Sequence, residues 1–286
     1  MNTSPLISPQ ALHALQTSGK ALLVCDCTFD LADPGAGERA YEAGHIPGAR
    51  YVHLDRDLSG EPTGRNGRHP LPRREDFAVL MSRLGARDDT LVVCYDAVGG
   101  AMAARLWWLL RWAGHEASAV LDGGLAAWRE AGLALEPGQA RAPQPGAFSL
   151  RPPLVAAVDY DEMLANVGRS AGRVVVDARA PDRFRGENET LDPIGGHIPG
   201  AVNRFYRNNL QPDGRFKPAS QLRAEFGALV GTTPAQQVVH QCGSGVTACH
   251  NLLAMEIAGL SGAALYPGSW SEWSSRPGSP MATGEQ

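Results

Sequence analysis

A basic excess, a membrane-length apolar run and a cysteine framework are all missing from this chain. The formal net charge is −4, which leaves no electropositive footprint and argues against nucleic acid as a partner. The most apolar stretch, around Leu106 to Ala113, is interrupted by Arg111 and too short to span a bilayer. Residues Met1 to Gln10 lack the basic start and apolar stretch of a secretory signal. The five cysteines are an odd number without framework spacing, which argues against a disulfide scaffold and favours a reducing, cytoplasmic setting. What remains is 286 residues, 43% hydrophobic and 20% charged: a soluble globular composition, long enough for two ordinary domains.

The chain repeats itself. A short entry at Leu6-Ile7 leads to a helical pattern (Ala11, Leu12, Leu15) and a buried strand from Ala21 that ends at Asp26. The hexapeptide Gly44-His-Ile-Pro-Gly-Ala49 follows, then a strand from Leu91 to Cys94, an amphipathic helix from Ala101 to Trp112, Val120-Leu121 and Trp128. The second half runs in the same order: Leu154-Val155, a helix from Asp161 to Val167, a strand from Val174 ending at Asp177, Gly196-His-Ile-Pro-Gly-Ala201, Val238-Val239 and Trp270 with Trp273. The spacing stays near 150 residues (about 152 at the hexapeptide, about 146 at the loop after Val239), a domain-sized period. Two homologous domains are expected, 1–134 and 154–286. They are joined by a Pro-rich, extended linker over 135–153. Short apolar strands alternating with helical patterns predict α/β domains, each a mostly parallel sheet with helices on both faces.

The most informative stretch is Gln236 to Ala248. Val238-Val239 reads as a strand running into a tight loop that opens with Cys242, followed by a helical pattern from Cys249 to Ile257. Ligands of such sheets sit beyond the strand carboxyl ends. Gly243 and Gly245 permit backbone angles that turn N–H groups inward at the helix start. That point is electropositive, so Cys242 is expected to be largely thiolate and to act as a nucleophile. In the first half Asp96 stands opposite Cys242, so that half has the frame without the thiol. It is expected to be inactive and to form one wall of the site.

Each nominated residue also has a bland reading. Cys25, Cys27 and Cys94 sit in strands and read as core, and Cys249 reads as packing. His45 and His197 belong to the repeated hexapeptide, present in both halves, and read as turn histidines. His240, Cys242, Cys249 and His250 fit no common zinc spacing, so no metal is expected. Trp107, Trp108 and Trp112 read as core or interface.

These motifs resemble the two-domain rhodanese sulfurtransferases: tandem rhodanese-like domains, paired Gly-His-Ile-Pro-Gly-Ala strings, Cys242-Gly-Ser-Gly-Val-Thr-Ala248 and Tyr266-Pro-Gly-Ser-Trp-Ser-Glu-Trp273. The neutral Gly243-Ser244 start is closer to 3-mercaptopyruvate sulfurtransferases than to thiosulfate sulfurtransferases, which carry Arg-Lys there. The resemblance implies a persulfide on Cys242, held by N–H groups of Gly243, Ser244, Gly245, Val246 and Thr247. It implies a proton relay of Ser244, His69 and Asp55, and an arginine, Arg183, that grips the donor's anionic end. A small-molecule sulfur donor is then needed, and an acceptor: a thioredoxin-like protein, a low-molecular-weight thiol or cyanide. No cofactor is implied, because the protein carries the sulfur.

One departure stands out. A second substrate arginine is usual shortly before the second hexapeptide, yet Glu187 to Ile194 holds no basic residue. Arg185 and Arg179 are the candidates to replace it. A cysteine phosphatase would need an arginine six residues after Cys242, where Ala248 stands. The other readings are a thiosulfate sulfurtransferase and a non-enzymatic rhodanese-like binding module.

Overall fold

The computed structural model describes residues 4–140 and 143–285. It resolves into two compact units. One comprises 1–59, 72–154 and 211–216, the other 60–71, 155–210 and 217–286. The units therefore exchange short segments: 60–71, which the sequence period puts in the first half, belongs with the second unit. Of the 135–153 stretch, the described residues lie extended along the first unit, where the Gly146 N–H donates to Ser82 O and that of Ser149 to Asp88.

The first unit holds β1 (Leu6–Ile7), β2 (Leu22–Asp26), β3 (Arg50–Tyr51), β4 (Leu91–Tyr95) and β5 (Ser118–Leu121), in the order β1-β5-β4-β2-β3. The second holds β6 (Ala156–Ala157), β7 (Val174–Asp177), β8 (Val202–Asn203), β9 (Val238–Gln241) and β10 (Ala264–Leu265), in the order β6-β10-β9-β7-β8. Element for element the two orders are the same, and every pair is parallel. Each sheet is flanked by helices, as parallel strands need crossover connections. The central strands are apolar runs without alternation because the sheets are covered.

The repeated hexapeptide has one structural job in both units. His45 stacks on Tyr41 at 3.9 Å and its Nδ1 lies 2.9 Å from the Tyr41 carbonyl. His197 stacks on Phe184 at 3.8 Å, with Nδ1 2.9 Å from the Phe184 carbonyl. Each histidine thus locks the end of a helix to the turn that follows. Ile46 with Ala49 and Ile198 with Ala201 enter the two cores. The helix predicted from Ala101 forms over Ala103–Trp112, but Ala103 to Leu110 are all buried. It is a core helix rather than an amphipathic one.

The lone cysteines behave as core. Cys25, Cys27 and Cys94 are buried free thiols. Burial pushes Cys25 up to about 12 and the other two well above the ordinary thiol range, so they are inert at neutral pH.

Candidate active site

Strand β9 ends at Gln241 and Cys242 follows it directly, 2% exposed, ahead of an eleven-residue helix, Thr247–Ile257. The loop between them is held from one side. The carbonyls of Cys242 and Gly243 accept the N–H groups of Trp270 and Ser271 at 3.0 and 2.9 Å. Trp270 and Ser271 belong to the short helix Ser269–Trp273, and because C=O and N–H point oppositely across a trans peptide, the Gly243 and Ser244 N–H groups face away from it. Gly245 sits at φ +75°, and a β-carbon there would come within 2.4 Å of the Pro267 carbonyl. Only glycine meets both conditions.

The first unit shows what this loop frame does with a negative charge. Asp96 occupies the position of Cys242 and is fully buried. One carboxylate oxygen accepts the N–H groups of Val98 and Gly100, the other those of Met102 and Ala103, all at 2.8 to 2.9 Å. Gly99, the counterpart of Gly245, has the same φ of +75°. Leu125 N–H donates to Asp96 O as Trp270 N–H donates to Cys242 O. The frame is an anion cradle, filled in the first unit by its own aspartate.

Ser269 is a site residue that the sequence did not single out. It is the one non-glycine residue with positive φ among those described, at +53°, where the first unit has Gly124 at +55°. Its hydroxyl accepts the Cys242 N–H at 3.1 Å and donates to Tyr266 O at 2.9 Å. A left-handed serine costs about 1–2 kcal/mol; satisfying the buried Cys242 amide offsets that. The signal lay in the alignment, where a serine replaces a glycine that needs positive φ.

Of the other nominated residues, His69 and Ser244 meet. His69 Nδ1 and Ser244 Oγ lie 2.7 Å apart, both residues buried. This pairing arises because 60–71 packs in the second unit, where the Arg68 N–H also donates to Ser271 Oγ at 3.0 Å. Asp55 lies in the first unit, exposed on the short helix Leu54–Asp57, whose N-terminus His53 caps.

The arginines divide by task. Arg183 reaches Gly243, its Nη atoms 3.6 and 3.8 Å from where a β-carbon would stand. Its other partners are Glu189 at 2.8 Å and Asp192 at 3.3 Å. Burial would raise the carboxyl pKa of Glu189, but the Arg183 fork and the N–H groups of Leu191 and Asp192 hold it below the ordinary value. Arg179 is buried and clamps Asp177 at the end of β7 (2.6 Å) and the Gly196 carbonyl (2.6 Å), with its guanidinium over the Trp270 ring at 4.8 Å. Burial disfavours its charge, yet Asp177, Glu189 and Cys242 outweigh that and raise its pKa. Arg179 thus braces the strand end within electrostatic reach of the thiol. Arg185 pairs with Glu187 at 2.7 Å, and its carbonyl accepts the Gly284 N–H; neither contact is with the loop.

A rhodanese-like domain model matches residues 8–131 and again 159–276. The chain belongs to the rhodanese family. A probable 3-mercaptopyruvate sulfurtransferase of Pseudomonas aeruginosa is 47% identical over the whole length of both chains. A putative thiosulfate sulfurtransferase of Mycobacterium tuberculosis is 38% identical over 98% of this chain and 97% of its own. A solved Escherichia coli structure, described by its rhodanese fold and the catalytic mechanism of 3-mercaptopyruvate sulfotransferases, superposes with a TM-score of 0.79 at 32% identity. It covers 94% of this chain and 99% of that one. Among the described residues of this rhodanese, no helix is long and apolar enough to cross a membrane.

Proposed function

We propose that the protein is a sulfurtransferase that takes sulfur from 3-mercaptopyruvate onto Cys242 and hands it to a thiol or to cyanide. The observation that carries this reading is the set gathered on one loop: Cys242 in the anion-holding frame, the His69–Ser244 pair beside it, and Arg183 against Gly243. The Cys242 thiolate attacks the donor sulfur, and an S–S bond forms as the C–S bond breaks. The C–S electron pair leaves on carbon as the enolate of pyruvate, which takes up the proton the donor thiol gives up. Donor sulfur is oxidised to the sulfane level and carbon is reduced to a methyl group. The products are the Cys242 persulfide anion and pyruvate.

Ser244 and His69 are suited to move that proton, one hydroxyl and one imidazole already in hydrogen-bond contact. The persulfide anion rests in N–H groups equivalent to those that hold Asp96, from Ser244 and Val246 onward, and the glycines Gly243 and Gly245 and Thr247 at the helix start complete the frame. This is preorganised electrostatic stabilisation. A thiol then attacks the outer sulfur, so ping-pong kinetics are expected. Five free thiols fit a reducing, cytoplasmic setting. The acceptor is a low-molecular-weight thiol or a thioredoxin-like protein.

Thiosulfate is the second reading, favoured by one observation: two guanidinium groups stand against Gly243, which the loop sequence alone would leave neutral. The test is to incubate the protein with each donor and no acceptor, and follow intact mass. Gain of one sulfur, faster from 3-mercaptopyruvate and abolished in Cys242→Ser, is the expected result. Faster loading from thiosulfate would transfer the assignment to that donor. No gain from either would leave a binding module.

A further inference from the structure

Two arginines converge on Gly243, and the motif nominated only Arg183. A β-carbon built on Gly243 would stand 3.2 Å from Nη2 of Arg68. Nη1 of Arg68 reaches Asp192 Oδ1 at 2.6 Å, while Arg183 Nη2 reaches the other oxygen of the same carboxylate at 3.3 Å. The Asp192 side chain is only 2% exposed. The Arg68 Nε–H is buried and has no hydrogen-bond partner among the described residues.

Resting on the 3-mercaptopyruvate reading above, we propose that Arg68 is the second arm of the clamp that grips the donor carboxylate, and that Asp192 is the internal carboxylate with which the donor competes. The segment Glu187 to Ile194 supplies no arginine here. It supplies Asp192 instead, and the second guanidinium arrives from 60–71, a segment far away in sequence that packs in the same unit. In the free protein Asp192 bridges the two forks, each oxygen on one guanidinium. An α-keto acid carboxylate can do the same, with the added gain of satisfying the Arg68 Nε–H, since an unmade buried donor is costly. A planar guanidinium suits this two-oxygen recognition better than an ammonium. Arg68 therefore sets selectivity for a carboxylate-bearing donor, and Asp192 sets how much donor is needed.

The experiment measures the rate of sulfur gain on Cys242 against donor concentration, for 3-mercaptopyruvate and for mercaptoacetone, in which a methyl replaces the carboxylate. Arg68→Gln should raise the half-saturating concentration of 3-mercaptopyruvate about ten- to hundredfold, the loss of one charge-assisted contact, and leave loading from mercaptoacetone unchanged. Arg68→Lys, which keeps the charge and loses the fork, should fall between. Asp192→Asn should move the half-saturating 3-mercaptopyruvate concentration the opposite way, downward. Equal slowing of both donors in Arg68→Gln, a change under about twofold, or a higher half-saturating concentration in Asp192→Asn would overturn the clamp. If the unmutated protein gains no sulfur from 3-mercaptopyruvate, the donor assignment fails instead, which the variants cannot mimic.

Discussion

Asp96 offers the sharpest test of the idea that this loop frame is built to hold an anion. Its carboxylate accepts four backbone N–H groups at 2.8 to 2.9 Å in a site with no exposure. Asp96→Ala would leave those donors buried and unpaired. A net hydrogen bond to a charged group is worth about 1.5–3 kcal/mol, but four bonds to one carboxylate share the same desolvation cost and do not add. Single substitutions rarely exceed about 4–5 kcal/mol, so about 4 kcal/mol is the expected loss. Asp96→Asn keeps one acceptor oxygen and points an amide N–H2 at two donors, for a cost of about 2–3 kcal/mol. In a unit of this size, about 2–4 °C is lost per kcal/mol, so Asp96→Ala should lower the first unit's transition by roughly 8–16 °C. Differential scanning calorimetry reads that shift. Hydrogen exchange reads the cause, because the amides of Val98, Gly100, Met102 and Ala103 should lose protection together. A shift corresponding to under about 1 kcal/mol, with those amides still protected, would refute the cradle argument. The same reasoning applied to the Cys242 loop would then fall with it.

Two further predictions test other parts of the structure. Ser269→Gly removes the strain of φ +53° but also the oxygen that accepts the Cys242 N–H. Stability should change by less than about 1 kcal/mol, while sulfur loading slows about tenfold; unchanged loading would show that this contact does not position the thiol. His240 is fully buried, and burial pushes its pKa from 6.5 down to about 3. Between those values the unfolded chain binds one more proton than the folded one, so this group's contribution is complete above about pH 6.5 and is lost as pH falls, by about 1.4 kcal/mol per pH unit. Replacing it by asparagine should flatten the acid limb in urea unfolding between pH 7 and 5; an unaltered slope would contradict that account.

The sequence by itself determined the duplication, because a repeat of domain length leaves identical strings in matched context. It determined the central strands β2, β4, β7 and β9, whose apolar runs suit strands covered on both faces. It determined the loop as well: a cysteine between a buried strand and a helix, with Gly245 where positive φ is required, is a local pattern. The hexapeptide histidines were legible as turn residues because they occur in both halves, and each does stack on the aromatic ring that closes the preceding helix.

Other features were not local. The outer strands β3 and β8 are two residues each and leave no periodic signal. The burial of the whole Ala103–Leu110 face depends on what packs around it. The pairing of His69 with Ser244 was legible only through the family resemblance, and nothing near Arg68 in sequence reveals that 60–71 packs in the second unit or that it delivers a guanidinium to Gly243. A motif records which residues follow one another along the chain, whereas this site's charge balance depends on residues that meet from distant segments. Arg68, Arg183 and Asp192 meet only because the chain folds them together, and that meeting was decided by tertiary structure.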